Sequence, residues 1–238
     1  MTNDELDRYH RQVILPEIGE GGQQKLKDAA VLVVGCGGLG CPVLQYLVAA
    51  GIGNIGLCDP DIVSLSNLQR QILYSTEDIG QPKVSKAKEK LSQLNPFVNF
   101  ETYQSAFDLK NYRDILSNYS IVVDCSDNFA TRYVISDACV ELNRIMIYGS
   151  VFQFEGQVSV FNYLGGPTYR NLFPEPPNEL VKASEVGVLG VVPGIIGLIQ
   201  ANEVIKIIMG IGEVLSGKLL VYNALNLSFQ TFNIHKES

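Results

Sequence analysis

The stretch VLVVGCGGLG, residues 31–40, reads as a short apolar strand, a glycine-rich turn and the start of a helix. Further on, Asp59 closes a second apolar stretch, NIGLCDPD. Gly35, Gly37 and Gly40 satisfy the spacing G-x-G-x-x-G, and Gly38 bares the turn further. Without side chains, loop amides and a helix N-terminus can meet phosphate oxygens. Asp59, at the carboxyl end of the second strand, is placed to accept hydrogen bonds from ribose hydroxyls. The plainer alternative is a tight turn that packs helix on sheet. Strand, helix and acid together favour a nucleotide, and leave NAD and ATP both open.

The residues after Asp59 separate the two. SLSNLQRQ puts Asn67 and Arg70 in a polar loop beyond the second strand, and GQPKV puts Lys83 at a helix start. A dinucleotide dehydrogenase has no use for these cations beside its ribose acid. A triphosphate does, because developing negative charge must be met by Arg, Lys or a metal. Further along, VVDCSDN sets Asp124 and Asp127 at the end of another strand, where ligands sit in open α/β sheets. A carboxylate there suits Mg²⁺, which takes one or two carboxylates plus phosphate oxygens. Capping of the next helix by Asp127 or Asn128 competes with that role.

The pattern around these motifs predicts a Rossmann-like α/β fold: a mostly parallel sheet with helices on both faces, extended by antiparallel strands in the C-terminal third. Strands are expected at 30–35, 54–58, 97–102, 120–125 and 144–151, with helices at 39–50, 82–93, 108–117 and 128–142 between them. After residue 150, the stretches 156–163, 218–224 and 227–234 alternate like antiparallel strands, the last two as a hairpin. No linker separates two domains. Residues 1–238 therefore read as one unit: a helical arm over 1–28, broken around Pro16 and at GEGG, a nucleotide-binding half over 29–150, and the remainder over 151–238. That remainder includes a long proline-rich crossover and an apolar helix from about Pro193 to Met209, expected in the core or against another subunit.

Composition narrows the field. The chain has 238 residues, 46% hydrophobic and 18% charged, and a formal net charge of −7, which argues against a general nucleic-acid binder. The apolar helix is interrupted by Pro193, Gln200, Asn202, Glu203 and Lys206, so no membrane span is expected. Five cysteines, none spaced C-x-x-C, suggest reduced, mostly buried thiols in a cytoplasmic protein. The polar start MTNDELDRYHRQ does not read as a signal peptide.

RYHRQ, VGCGGLG, DPDIVSLSNLQRQ, GQPKV, DCSDN, EGQVSVF and GVLGVVPGIIGLIQANEVIK occur in this order. Together they closely resemble the ThiF/MoeB/HesA family, bacterial relatives of the ubiquitin-activating enzymes, from about residue 8 to residue 232. The resemblance implies an adenylyltransferase, in which the C-terminal glycine carboxylate of a small ubiquitin-fold sulfur-carrier protein ending in Gly-Gly attacks the α-phosphate of ATP. It implies that Gly35, Gly37, Gly38 and Gly40 form the phosphate turn and Asp59 holds the ribose. Ser66, Asn67, Arg70 and Lys83 would line the phosphates, with Asn128 beside Asp127, the Mg²⁺ ligand. Arg11 resembles an arginine that reaches into a partner subunit's site, so a homodimer is implied. The catalytic set is then Arg11, Arg70, Lys83 and Asp127, and the cofactors are ATP and Mg²⁺.

Three departures stand out. Many members bind zinc through two C-x-x-C pairs; the matching crossover positions here are Thr168 and Asn171, and no pair precedes HKES, so no zinc is predicted. A cysteine expected shortly before EVGVLG is missing from Val181–Glu185, where Ala183 stands. Asn223 replaces an acid common in the family. The favoured reading is an enzyme that makes the acyl-adenylate and leaves sulfur transfer to another protein. A degenerate ATP-binding scaffold is the alternative, and an NAD-linked oxidoreductase the weakest. Thiamin thiazole, molybdopterin and peptide pathways all remain open.

Overall fold

The computed structural model describes residues 1–176 and 187–236. Eight strands form one sheet in the order β3-β2-β1-β4-β5-β6-β7-β8. β1 (Ala30–Val34), β2 (Asn54–Cys58), β3 (Asn99–Tyr103), β4 (Ile121–Asp124) and β5 (Ile145–Phe152) pair in parallel. β6 (Glu155–Phe161), β7 (Lys218–Asn223) and β8 (Ser228–Asn233) then add on antiparallel to β5. The expected mixture of parallel core and antiparallel extension is what forms.

Alternation along β1 explains the two layers. Val31 and Val33 face one core with α4 (Gly40–Ala50), α5 (Lys83–Leu94) and α9 (Val191–Met209). Leu32 and Val34 face the other, with α6 (Tyr112–Leu116), α7 (Phe129–Glu141) and α8 (Tyr169–Leu172). A strand covered on both faces must be apolar on both, which is why β1 reads as an unbroken hydrophobic run and β4 as one up to its last residue, Asp124.

Helix α9 is the described helix long and apolar enough to cross a membrane. Here Val192, Ile196, Ala201 and Val204 pack into the core. Its polar residues are used: Gln200 Nε2 donates to the carbonyls of Asp124 (2.8 Å) and Ile147 (3.2 Å), tying the helix to β4 and β5. Glu203 is buried and accepts the Leu215 amide at 2.9 Å. Val191 and Leu198 remain 55% and 38% exposed, so part of the apolar surface lies outside the core.

The N-terminal arm differs from expectation in one respect. It comprises α1 (Asn3–Arg8), α2 (His10–Val13) and α3 (Gly19–Asp28), and GEGG opens α3 instead of breaking the arm there. The break falls at residues 14–18, which include Pro16.

Candidate functional site

β1 lies between β2 and β4, so the chain crosses away from it in opposite directions and leaves a crevice at the strand carboxyl ends. The glycine turn fills that crevice. Gly35 has φ +97°, and a Cβ there would lie 2.5 Å from the Cys125 carbonyl oxygen; at Gly40 it would lie 2.0 Å from that of Gly35. These two glycines let strand, turn and helix pack. Gly37 instead faces a side chain of the neighbouring loop, and Gly38 faces Pro193 of α9 and the same loop. Gln71 Nε2 is 3.3 Å from the Cβ position of Gly37, and Arg70 Cγ is 3.4 Å from that of Gly38. Among the described residues, the amides of Gly37, Gly38, Leu39 and Gly40 have no backbone acceptor. Four unused donors at a helix start form an anion site by construction.

Asp59 sits under this turn. Its Oδ2 accepts the Cys36 amide at 2.7 Å and its Oδ1 the Asp61 amide at 2.8 Å. Both oxygens keep lone pairs for further donors. Burial pushes the carboxyl above its ordinary value, while Lys83 and the two amides pull the other way. Tyr74 donates its hydroxyl to the Cys36 carbonyl at 2.8 Å and fixes the turn from the side.

The polar loop after β2 runs through a 3₁₀ turn, Leu65–Asn67. Ser66 is exposed, and its carbonyl accepts Arg70 Nη1 at 3.2 Å. The Asn67 carbonyl accepts the amides of Arg70 (3.1 Å) and Gln71 (2.9 Å). Lys83 opens α5, and its nearly buried Nζ lies 2.9 Å from Asp61 Oδ2.

At the end of β4 the structure assigns the helix cap. Asn128 caps α7, its Oδ1 accepting the Thr131 amide at 2.9 Å, and Asp127 stands exposed beside it. Asp124 turns inward: it is fully buried, accepts Ser126 Oγ (2.6 Å) and Ser126 N (3.0 Å), and faces Arg132. Its contacts are therefore structural. Because the Gly35 Cβ position is 3.2 Å from the Ser126 amide, the glycine turn and the Asp127 loop are neighbours.

The structure brings together the glycine turn, Asp59, Arg70, Lys83, Asp127 and Asn128. It does not bring Arg11 to them. Gln12, next to Arg11 on α2, donates to the Ala50 carbonyl at the far end of α4. That end is about 16 Å from the glycine turn at ~1.5 Å per helical residue. Gln71, which closes the motif SLSNLQRQ, also lies at the site: it is buried beside Gly37, and its Oε1 has no partner among the described residues. Its place in that motif is the signal that could have found it; Arg132 carries none beyond its place four residues after Asn128.

Elsewhere, Thr168 and Asn171 bond to each other, Asn171 Oδ1 accepting Thr168 N at 2.8 Å and Thr168 Oγ1 at 3.1 Å. Among the described residues no cluster of His, Cys, Asp or Glu is arranged as a metal site. Val181–Glu185 lie outside the described residues. All five cysteines are free and buried, and burial pushes the Cys41 and Cys58 thiols up to about 12.

Residues 9–238 match the ThiF family. The chain belongs to that family. It is 49% identical to a sulfur carrier protein adenylyltransferase of Thermus thermophilus, over 99% of this chain and 89% of that one. It is 51% identical to a protein of Porphyra purpurea named "Probable molybdopterin-synthase adenylyltransferase", over 97% of this chain. The chain spans only 61% of the Porphyra protein's length. A crystal structure of E. coli MccB with MccA-N7isoASN shares the fold of this ThiF-family chain, with TM-score 0.86 and 23% identity over 99% of this chain and 74% of that one.

Proposed function

We propose that this ThiF-family chain uses ATP to adenylate the C-terminal glycine carboxylate of a small ubiquitin-fold sulfur carrier. That it is a nucleotidyltransferase follows from its family and from relatives named adenylyltransferases at 49% and 51% identity. The observation that carries the reading is the set of unused amides at Gly37–Gly40 with Arg70, Lys83 and Asp127 around one crevice.

On this reading the carrier carboxylate attacks the α-phosphorus. The bond from that phosphorus to the bridging oxygen breaks, and acyl-adenylate and pyrophosphate form. Both reactants are anions, so holding them together and neutralising charge supply most of the rate. The turn amides, Arg70 and Lys83 meet phosphate oxygens, with Ser66 and Asn67 shaping the loop, and Asp59 takes the ribose. Asp127 fits Mg²⁺, because its carboxylate is exposed and Asn128 has taken over the cap. Bound there, the ion would neutralise phosphate charge.

The carrier is read as docking on the antiparallel end of the sheet, where Phe152, Leu225, Leu227 and Phe229 are all more than half exposed. A Gly-Gly tail is the narrow, flexible segment that could run from there to the crevice. Arg11 acts across a homodimer, since its own helix lies against the wrong end of α4. Five buried thiols suit a cytoplasmic location, and sulfur transfer falls to another protein.

The test is hydroxylamine trapping. Incubation with ATP, Mg²⁺ and a carrier should convert the carrier terminus to a hydroxamate, detected by mass. A carrier lacking its last glycine should stay unmodified. Tight ATP binding with no trapped product from carriers of the thiazole and molybdopterin pathways would favour a scaffold.

A further inference from the structure

Arg132 is a buried cation that the proposed chemistry does not use. Its side chain is 8% exposed and lies between the rings of Phe129 and Tyr148, with centroid distances of 5.5 Å and 5.6 Å. Its Nη2 donates to the Ser126 carbonyl at 3.1 Å, the residue immediately before Asp127. Its Nε is 3.8 Å from Asp124 Oδ2. Among the described residues that Nε, that Oδ2 and the nearby Tyr169 hydroxyl all lack hydrogen-bond partners.

Such a pair is a poor stabilising device. Burying two charges costs free energy that is recovered only with close geometry and full hydrogen bonding, and an apolar substitute often does as well. What the pair does achieve is positional. Asp124 grips Ser126 through its amide and hydroxyl, and Arg132 grips the same residue through its carbonyl. On the other side of Asp127, Asn128 is fixed by capping α7. Asp127 is thus an exposed residue, outside the helix cap, in a loop clamped on both flanks.

We infer that Arg132 is a positioning residue that fixes the direction in which Asp127 presents its carboxylate to a nucleotide-bound divalent cation. Arg132 touches neither substrate nor metal in this arrangement; it acts through the Ser126 carbonyl. The inference rests on the proposed role of Asp127, and the test separates the two.

The probe is Mn²⁺ with ATP, titrated by electron paramagnetic resonance, alongside ATP binding in EDTA by calorimetry. Asp127→Ala is the reference for loss of the metal ligand. Arg132→Met should weaken Mn²⁺ binding to the ATP complex about tenfold, leave metal-free ATP binding within about twofold and keep the circular dichroism spectrum. Arg132→Lys keeps the charge without the planar fork and should fall between. If Arg132→Met does not fold, Arg132→Lys alone decides. Wild-type Mn²⁺ affinity in the folded arginine variants, with affinity lost in Asp127→Ala, overturns the positioning role. Unchanged affinity in Asp127→Ala overturns the metal assignment itself, and the positioning role with it. An equal loss of metal-free ATP binding in Arg132→Lys would mark a general structural role and also overturn the inference.

Discussion

Asn128 accepts the Thr131 amide at 2.9 Å and so caps α7, while Asp127 beside it makes, among the described residues, only a 3.5 Å contact to the Asn128 side-chain amide. Adjacent residues of similar shape thereby take different tasks. Asn128→Ala is expected to cost about 1 kcal/mol through the lost cap. Asp127→Ala, at an exposed position outside the helix, should change stability by under about 0.5 kcal/mol and abolish metal-dependent turnover. Urea unfolding and turnover assays on both variants check this. Full activity in Asp127→Ala would contradict the metal assignment.

Lys83 is paired with Asp61. The Nζ is 2.9 Å from Asp61 Oδ2, and the side chains are 6% and 65% exposed. Because one partner is largely in water, the pair adds little stability, and Asp61→Asn should shift unfolding by under about 1 kcal/mol. The same change removes a competitor for the ammonium, so ATP binding should tighten a few-fold. Lys83→Met should weaken it at least about tenfold, the scale of one charged hydrogen bond of about 1.5–3 kcal/mol. Calorimetry with ATP distinguishes these outcomes; weaker binding in Asp61→Asn would show that Asp61 orients the lysine toward the phosphates.

Asp78 supplies a pH dependence. Burial by itself would raise its carboxyl, but Lys90 and the Ser75 amide and hydroxyl hold it down at about 2. A carboxyl depressed in the folded state stabilises above its unfolded pKa of about 3.9, and that contribution is lost as pH falls toward the folded value. Stability should therefore drop between about pH 4 and pH 2 in the wild type. Asp78→Asn should be less stable at neutral pH and show a shallower acid slope in urea titrations at several pH values. Equal slopes would contradict the assignment.

Much of this fold was written in local pattern. The strand at 54–58 and the helix over most of 193–209 fall where alternation and apolar runs place them, because burial on both faces of a parallel sheet leaves a continuous hydrophobic record. Element ends moved where the deciding contact is distant. GEGG reads as a break but opens α3, where Gly22 leaves room for Met209 from the other end of the chain. At the site, the spacing of Gly35, Gly37 and Gly40 and the acid at Asp59 were legible because they sit at strand ends. Asp124 and Asp127 looked alike in sequence. Only the strand pleat and the Arg132 contact separate the buried acid from the exposed one. Arg11 could not be placed from its neighbours at all, since α2 packs against an end of α4 that carries no site residue.

The placement of Arg11 gives a complementation test. If it serves the partner protomer's crevice, Arg11→Ala and Asp127→Ala are each inactive as homodimers. Mixed and re-equilibrated in equal amounts, half the dimers are mixed, and each contains one complete site. About a quarter of wild-type turnover should return, by the isologous symmetry of a two-fold dimer. No recovery after verified subunit exchange would place Arg11 outside the partner's site.

Carrier-dependent ATP–pyrophosphate exchange with Mg²⁺ present decides whether the chain adenylates a carrier. Labelled pyrophosphate should enter ATP when a Gly-Gly carrier is added; exchange should saturate with carrier and vanish on removal of the last glycine or in Asp127→Ala. ATP bound tightly with no exchange from any carrier of the thiazole or molybdopterin type would contradict carrier adenylation.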